Sequence, residues 1–203
     1  MITPFLLLIK HTVCPPSNQA KVTLPAKKNW FIMKAQNNSP IYSPMTFKTA
    51  DLCDDFSDNL QIVSPMFQSF GGHKRFSGII QTVKIFEDNV LVREMLSDKV
   101  DNRVLVIDGG GSLRCALLGD MLAEMGYKNG WQGVVVYGCI RDSADINEMP
   151  IGVRAIQTNP LKSIKKGWGD KNIDVTFAGA TFHPGDYLYA DEDGIVLSKT
   201  AVV

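Results

Sequence analysis

Arg141 and Asp142 stand side by side at the close of the apolar run Val134-Val135-Val136-Tyr137-Gly138-Cys139-Ile140. A β-branched run of this length has the pattern of a buried strand. A guanidinium and a carboxylate just past its end stand where buried strands open onto a ligand. Asp120 lies twenty-one residues before Arg141, with Gly119 before it and Met121-Leu122 after it. It supplies a second carboxylate for the same pocket. The positive charge suits an anionic substrate, and the carboxylates suit a hard divalent cation, which takes few protein ligands and keeps several waters.

Each residue also has a plainer reading. Asp142 can be a solvated partner of Arg141, or a direct ligand of Mg²⁺ or Mn²⁺. Gly119 opens a predicted helix, whose first backbone N–H groups make a site for a carboxylate. Asp120 taken alone fits best as that helix's cap, with metal contact as the alternative. Arg141 tilts the balance, because planar bidentate binding of a carboxylate is what arginine does best. Gly109-Gly110-Gly111 is either a tight strand exit or a loop that approaches a ligand. The basic stretch Pro160–Gly169, with Lys162, Lys165 and Lys166, reads by default as a solvated loop. Otherwise it adds positive potential at the mouth of an anion site or in a subunit contact.

Several chemistries find no support. No Gly-Lys-Ser/Thr follows the triple glycine and no GxGxxG is present, which argues against nucleotide binding. His11, His73 and His183 are scattered, unlike a zinc cluster. A GxSxG elbow and a convincing Cys–His placement are both missing, so covalent catalysis through Ser or Cys is disfavoured. Lys+Arg and Asp+Glu each total 21, so no net basic field argues for direct nucleic-acid binding.

The elements that must position these residues are predicted as strands over 78–86, 103–108, 134–140 and 152–156, with helices over 89–96 and 120–128. In the second helix Leu122, Met125 and Met121 face inward. Thr49 caps a short helix through Asp58, and 145–148 makes one helical turn. Strands over 175–178, 187–191 and 194–197 follow, separated by Pro184-Gly185-Asp186 and Asp191-Glu192-Asp193-Gly194, both strong turn signals. This β-rich tail predicts strands in two layers with helices covering one face. At 203 residues the chain suits one good core. Residues 1–44 have no sustained period and read as an N-terminal extension or arm, with Trp30-Phe31-Ile32-Met33 packing on the body; the domain proper spans 45–203. The apolar stretch Pro4–Ile9 is far shorter than the roughly 20 residues of a membrane span. Four cysteines without a CxxC pair read as reduced thiols. A soluble, cytoplasmic protein with no membrane partner is the expectation.

Four motifs in order carry a resemblance: Asp108-Gly109-Gly110-Gly111-Ser112-Leu113-Arg114, Gly119-Asp120-Met121-Leu122, Tyr137-Gly138-Cys139-Ile140-Arg141-Asp142, and Gly185 through Ile195. Together they resemble the family called regulator of ribonuclease activity A, which also contains the class II 4-hydroxy-4-methyl-2-oxoglutarate aldolases. The similarity covers roughly residues 45 to 199. It implies a single-domain α/β fold, a three-layer β/β/α arrangement of the swivelling-domain type, and a ring-shaped homotrimer. The aldolase branch is marked by an Asp, twenty residues, then Arg-Asp, which Asp120, Arg141 and Asp142 meet in full. Purely regulatory members keep the Arg and depart from the adjacent Asp.

Carried over residue by residue, Gly119, Asp120, Met121 and Leu122 hold the pyruvate-like end of a small 2-oxo acid through backbone N–H groups. Arg141 binds its carboxylate or carbonyl oxygen, Asp142 ligates Mg²⁺ or Mn²⁺, and Asp120 acts through metal-bound water. The implied function is cleavage of 4-hydroxy-4-methyl-2-oxoglutarate to pyruvate, with decarboxylation of oxaloacetate in the same pocket. The alternative from the family's other branch is a regulator that binds and inhibits an RNA-degrading endonuclease, or acts on a helicase. Some aldolase members also bring an acidic residue from the neighbouring subunit, and none is matched in this shorter tail.

Overall fold

The computed structural model describes residues 47–203. In chain order, α1 (Thr49–Phe56) leads through a 3₁₀ turn to β1 (Leu60–Ile62), β2 (Gln68–Phe70) and β3 (Phe76–Ile85). Then come α2 (Val90–Ser97), β4 (Arg103–Asp108), β5 (Ala116–Leu118) and α3 (Asp120–Lys128). They are followed by β6 (Trp131–Ile140), α4 (Ser143–Asn147) and β7 (Gly152–Thr158). The last part is β8 (Gly169–Lys171), β9 (Val175–Phe177), β10 (Ala180–Phe182), β11 (Tyr187–Ala190) and β12 (Ile195–Ser198). The expected arm over 1–44 and the packing of Trp30–Met33 lie outside the described residues.

Strands β3, β4, β6 and β7 lie side by side in parallel, and the sheet continues through antiparallel β11, β12 and β1 on one flank and β2 on the other. Parallel neighbours need a crossover, and α2, α3 and α4 supply the three. All three helices pack on one face, because Leu91, Leu96, Leu122, Ala123 and Ile146 share one core with Leu105, Ile107, Val134 and Val136. The alternate residues Val104, Val106 and Val135 point the other way, into a second core with Phe177, Phe182 and Leu188. This is why the central strands read as unbroken apolar runs: the pleat sends successive side chains to opposite faces, and both are buried. The β9–β10 hairpin closes the second face, with Phe177 stacked on Tyr137 (4.6 Å) and Phe182 (4.5 Å). Helices, central sheet and outer strands therefore form the three layers that the β-rich tail predicted.

A glycine pair fixes where Phe76 sits. Gly133 and Gly152 are partners on β6 and β7, and a Cβ on either would lie 2.3 or 2.0 Å from the Phe76 ring. Phe76 fills that slot at 1% exposure, with the Arg154 guanidinium over its other side at 5.4 Å.

The predicted strand 103–108 and helix 120–128 match their observed bounds, and the helix placed at 89–96 lies one residue later. Two expectations are corrected. Thr49 is the first residue of α1 rather than its cap; its hydroxyl donates to Asp191 Oδ1 at 2.6 Å, tying the helix to the β11–β12 turn. Met121 points to solvent at 63% exposure, while Ala123 and Gly126 take the inward face beside Leu122. The β-branched core strands were legible; three-residue strands such as β5 and β8 are too short to show a period.

Candidate active site

Strand pairing brings the distant motifs together. β5 lies parallel to β6 with Leu118 opposite Ile140, and the Arg141 N–H donates to the Leu118 carbonyl at 3.0 Å. The residues that leave the two strands, Gly119 and Arg141, are thus neighbours. Gly119 caps α3 in extended backbone (φ −133°, ψ −179°) with no side-chain cap, so the capping role expected of Asp120 falls away. Asp120 instead opens the first turn, where a carboxylate meets the positive end of the helix dipole. Leu122 and Ala123 donate their N–H groups back to the Gly119 carbonyl, and Met121 N–H has no partner among the described residues.

Asp142 takes the left-handed conformation (φ 54°, ψ 36°) that ends β6 and starts α4. Asx residues tolerate that conformation better than most. The turn folds the carboxylate back, so that Oδ2 lies 3.2 Å from Arg141 Nε and 3.5 Å from the Asp120 backbone N. Both side chains stay about one-third exposed (38% and 36%), open to a ligand. A Cβ on Gly119 would lie 2.8 Å from Asp142 Oδ2 and 3.2 Å from Arg141 Nε. Glycine is what lets this pair stand against the helix start.

A cavity of ≈ 110 Å³ opens here, lined by Gly119, Asp120, Met121, Leu122 and Arg141. The structure therefore brings together the residues singled out from sequence, with Asp142 beside the cavity. It also adds a second wall: Asn89, which precedes α2, and Arg93 from α2, with Lys162, Ser163 and Lys165 from the loop before β8. Most of that loop is exposed, as the default reading had it, yet it is also fixed in place: Ser163 is buried at 5% exposure and backbone bonds tie the loop to Glu87 and Ala116. The only sequence signal for it was the local run of lysines.

Gly109, Gly110 and Gly111 serve the strand exit rather than the cavity. Gly109 and Gly111 donate to the Tyr137 carbonyl, and Gly110 and Gly111 take φ of +65° and +67°. Cys115 and Cys139 are buried free thiols whose ionisation burial pushes up, away from the reactive thiolate. A larger groove of ≈ 490 Å³ lies elsewhere, between α1 and the β11–β12 turn. Its buried charged groups, Arg154 and Asp191, are engaged in internal hydrogen bonds, so those two are poorly placed to orient a substrate. Among the described residues no helix is long and apolar enough to cross a membrane.

Known proteins with this architecture carry different names. A relative from Dechloromonas aromatica, provisionally named 4-hydroxy-4-methyl-2-oxoglutarate aldolase, is 63% identical over 162 residues, covering 78% of this chain and 99% of its own. A solved structure named S-adenosylmethionine:2-dimethylmenaquinone methyltransferase, from Geobacillus kaustophilus, is 53% identical with a TM-score of 0.76, covering 77% of this chain and 97% of that one. The RNA-processing inhibitor RraA from Thermus thermophilis is 42% identical with a TM-score of 0.75, covering 78% and 98%. The family model described as Aldolase/RraA matches residues 49–197, and on that extent of agreement the chain belongs to the RraA-like family.

Proposed function

We propose that this protein is a carbon–carbon lyase that cleaves 4-hydroxy-4-methyl-2-oxoglutarate to pyruvate and also decarboxylates oxaloacetate, with a divalent cation at Asp142. Close relatives named for this aldolase support the reading. Fold alone does not choose among the names its relatives carry. The observation that carries the choice is Asp142, turned back against Arg141 at the glycine-capped start of α3.

The residues fit a hard cation. Asp142 Oδ2 meets Arg141 and the Asp120 N–H, while no hydrogen bond to its Oδ1 is present among the described residues. No cluster of three or more His, Cys, Asp or Glu that could hold a metal occurs among them. Mg²⁺ and Mn²⁺ do not need one, since one or two carboxylates and several waters suffice. When bound, the cation supplies Lewis-acid stabilisation of negative charge on the 2-oxo group.

The chain's own groups do the rest. Arg141 binds the carboxylate beside the 2-oxo group and presents a preorganised positive charge to the oxygen that becomes anionic. The N–H groups that open α3 orient the same end. In the aldol cleavage the C3–C4 bond breaks, the C4 hydroxyl gives up its proton and becomes the carbonyl of one pyruvate, and the bonding pair leaves as the enolate of the other. Asp120 orients the water that takes that proton. In the decarboxylation, CO₂ departs and leaves the same enolate, so one pocket serves both reactions.

The test is pyruvate release from each substrate with Mg²⁺, with Mn²⁺ and with EDTA. Turnover that EDTA stops and metal restores is expected, and Asp142→Asn abolishes it. Turnover absent with metal, or indifferent to EDTA, overturns the reading. The second reading, a regulator of an RNA-degrading endonuclease, is favoured by the 42% identity to the RNA-processing inhibitor. A specific complex with such a nuclease, unaffected by Asp142→Asn and without turnover, would establish it instead. A homotrimer is proposed for either reading, to be checked by the mass in solution.

A further inference from the structure

We propose that Asp88 is a positioning residue for this site: it fixes the strap 162–167, whose lysines meet the second carboxylate of the substrate. The inference rests on the lyase reading and adds what recognises the far end of the molecule. Asp88 lies between β3 and α2 at 1% exposure. Its Oδ1 accepts the Val90 N–H at 2.9 Å, and its Oδ2 accepts the N–H groups of Lys166 at 2.5 Å and Gly167 at 2.7 Å. No salt bridge to Asp88 occurs among the described residues. Burial pushes its carboxyl up, and the N–H groups of Val90, Lys166, Gly167 and Trp168 more than offset this, holding it ionised.

The division of its two oxygens is informative. Starting α2 requires one acceptor for Val90, which a serine can provide. The second oxygen goes entirely to the strap. Two further bonds complete the fastening, from Ile164 N–H to the Glu87 carbonyl at 2.9 Å and from Ala116 N–H to the Leu161 carbonyl at 2.8 Å. Ala116 begins the strand that ends at Leu118, directly before Gly119. The strap is therefore braced against both β5 and the α2 start, and Asp88 joins it to the helix that carries Arg93.

The wall it holds is cationic. Lys162, Lys165 and Arg93 line the cavity, with Asp120 the one carboxylate among the lining residues. Arg141 serves the carboxylate beside the 2-oxo group. Both the hydroxy acid and oxaloacetate carry another at the far end, and the three cations that share the cavity with Arg141 match it.

Asp88→Ser keeps an oxygen for Val90 and removes the acceptor for the strap. With oxaloacetate, KM is expected to rise about tenfold, as for loss of a hydrogen bond to a charged group. The kcat and the inhibition constant of pyruvate, which has one carboxylate, should change far less. Amide exchange at Lys166 and Gly167 should speed up. Lys165→Ala should raise KM by itself and add little in the Asp88→Ser background, because coupled residues are not additive. Fully additive effects, or an unchanged KM with slow exchange at both amides, overturn the inference while leaving the lyase reading intact. Absence of turnover in the unaltered protein overturns both. If Asp88→Ser does not fold, Asp88→Asn takes its place, with the same split between KM and the pyruvate constant expected.

Discussion

Replacing Gly119 with alanine separates the chemistry of the site from the stability of the fold. The backbone at 119 is extended, so alanine meets no conformational penalty there. Glycine is a better helix cap than alanine, and the loss is about 1 kcal/mol or less. For a chain of this size that lowers Tm by about 2–4 °C. The new methyl is the larger effect: its carbon would lie 2.8 Å from Asp142 Oδ2, 3.2 Å from Arg141 Nε and 3.3 Å from Arg141 Cγ. Both side chains are partly exposed and can yield, so relief costs little stability but moves the reacting groups by several tenths of an ångström. A 1 Å misplacement costs on the order of a hundredfold in rate, so kcat/KM should fall roughly ten- to a hundredfold. The assay is coupled pyruvate release from oxaloacetate, with thermal unfolding measured in parallel. Gly194→Ala is the control, since a Cβ there meets nothing within 4 Å. A Gly119→Ala variant with unaltered kcat/KM would place the reacting atoms away from Arg141 and Asp142.

Gly152→Ala should do the reverse, because its Cβ would lie 2.0 Å from Phe76 in a closed slot. Overpacking of this kind costs about 1–3 kcal/mol, visible as a lower Tm, with activity per folded molecule retained. At Asp191, burial raises the carboxyl and the Thr49 hydroxyl and N–H, with those of Asp193 and Gly194, more than reverse it, so its folded value lies below the ordinary one. Its stabilisation is complete above the unfolded value of about 3.9 and is lost as pH falls through the folded value. Asp191→Asn should therefore lower Tm at neutral pH and flatten the acid side of a Tm–pH profile; parallel profiles would refute this. Removing residues 1–44 should leave a folded protein of unchanged oligomeric mass and turnover, and aggregation or dissociation would show that the boundary was drawn in the wrong place.

The sequence was most legible where burial is two-sided. Val104–Ile107 and Val134–Val136 announce central strands because every residue has an apolar neighbour on one face or the other. The Arg141–Asp142 pair was legible because charges that interrupt such a run need a reason. The second wall of the cavity was not. Asn89 and Arg93 fell within the predicted helix 89–96 with nothing to single them out, and Lys162 and Lys165 read as a solvated run. Where they meet, Asp88 accepts N–H groups from residues 166 and 167, far away in sequence and with no periodic signature. The cap reading of Asp120 taken alone fails for a related reason: in sequence an Asp at a helix start looks the same at the cap or one position later.

Two residues at the centre of the site are poor choices for stability alone. The position before α3 would be better served by Ser, Asp or Asn, which bond the free N–H groups that Gly119 leaves open. The left-handed turn at 142 asks only for a residue that tolerates it, and Asn or Gly would do. An exposed Arg–Asp pair contributes at most about 1 kcal/mol, too little to account for an acid there. Stability therefore explains neither the bare glycine nor the charged turn residue. Placed 2.8 Å from where a Cβ would stand, they explain each other: the glycine leaves room for the carboxylate, and the turn aims it at the open helix start and Arg141. Local concessions that coincide at one point are the mark of a site kept for its chemistry.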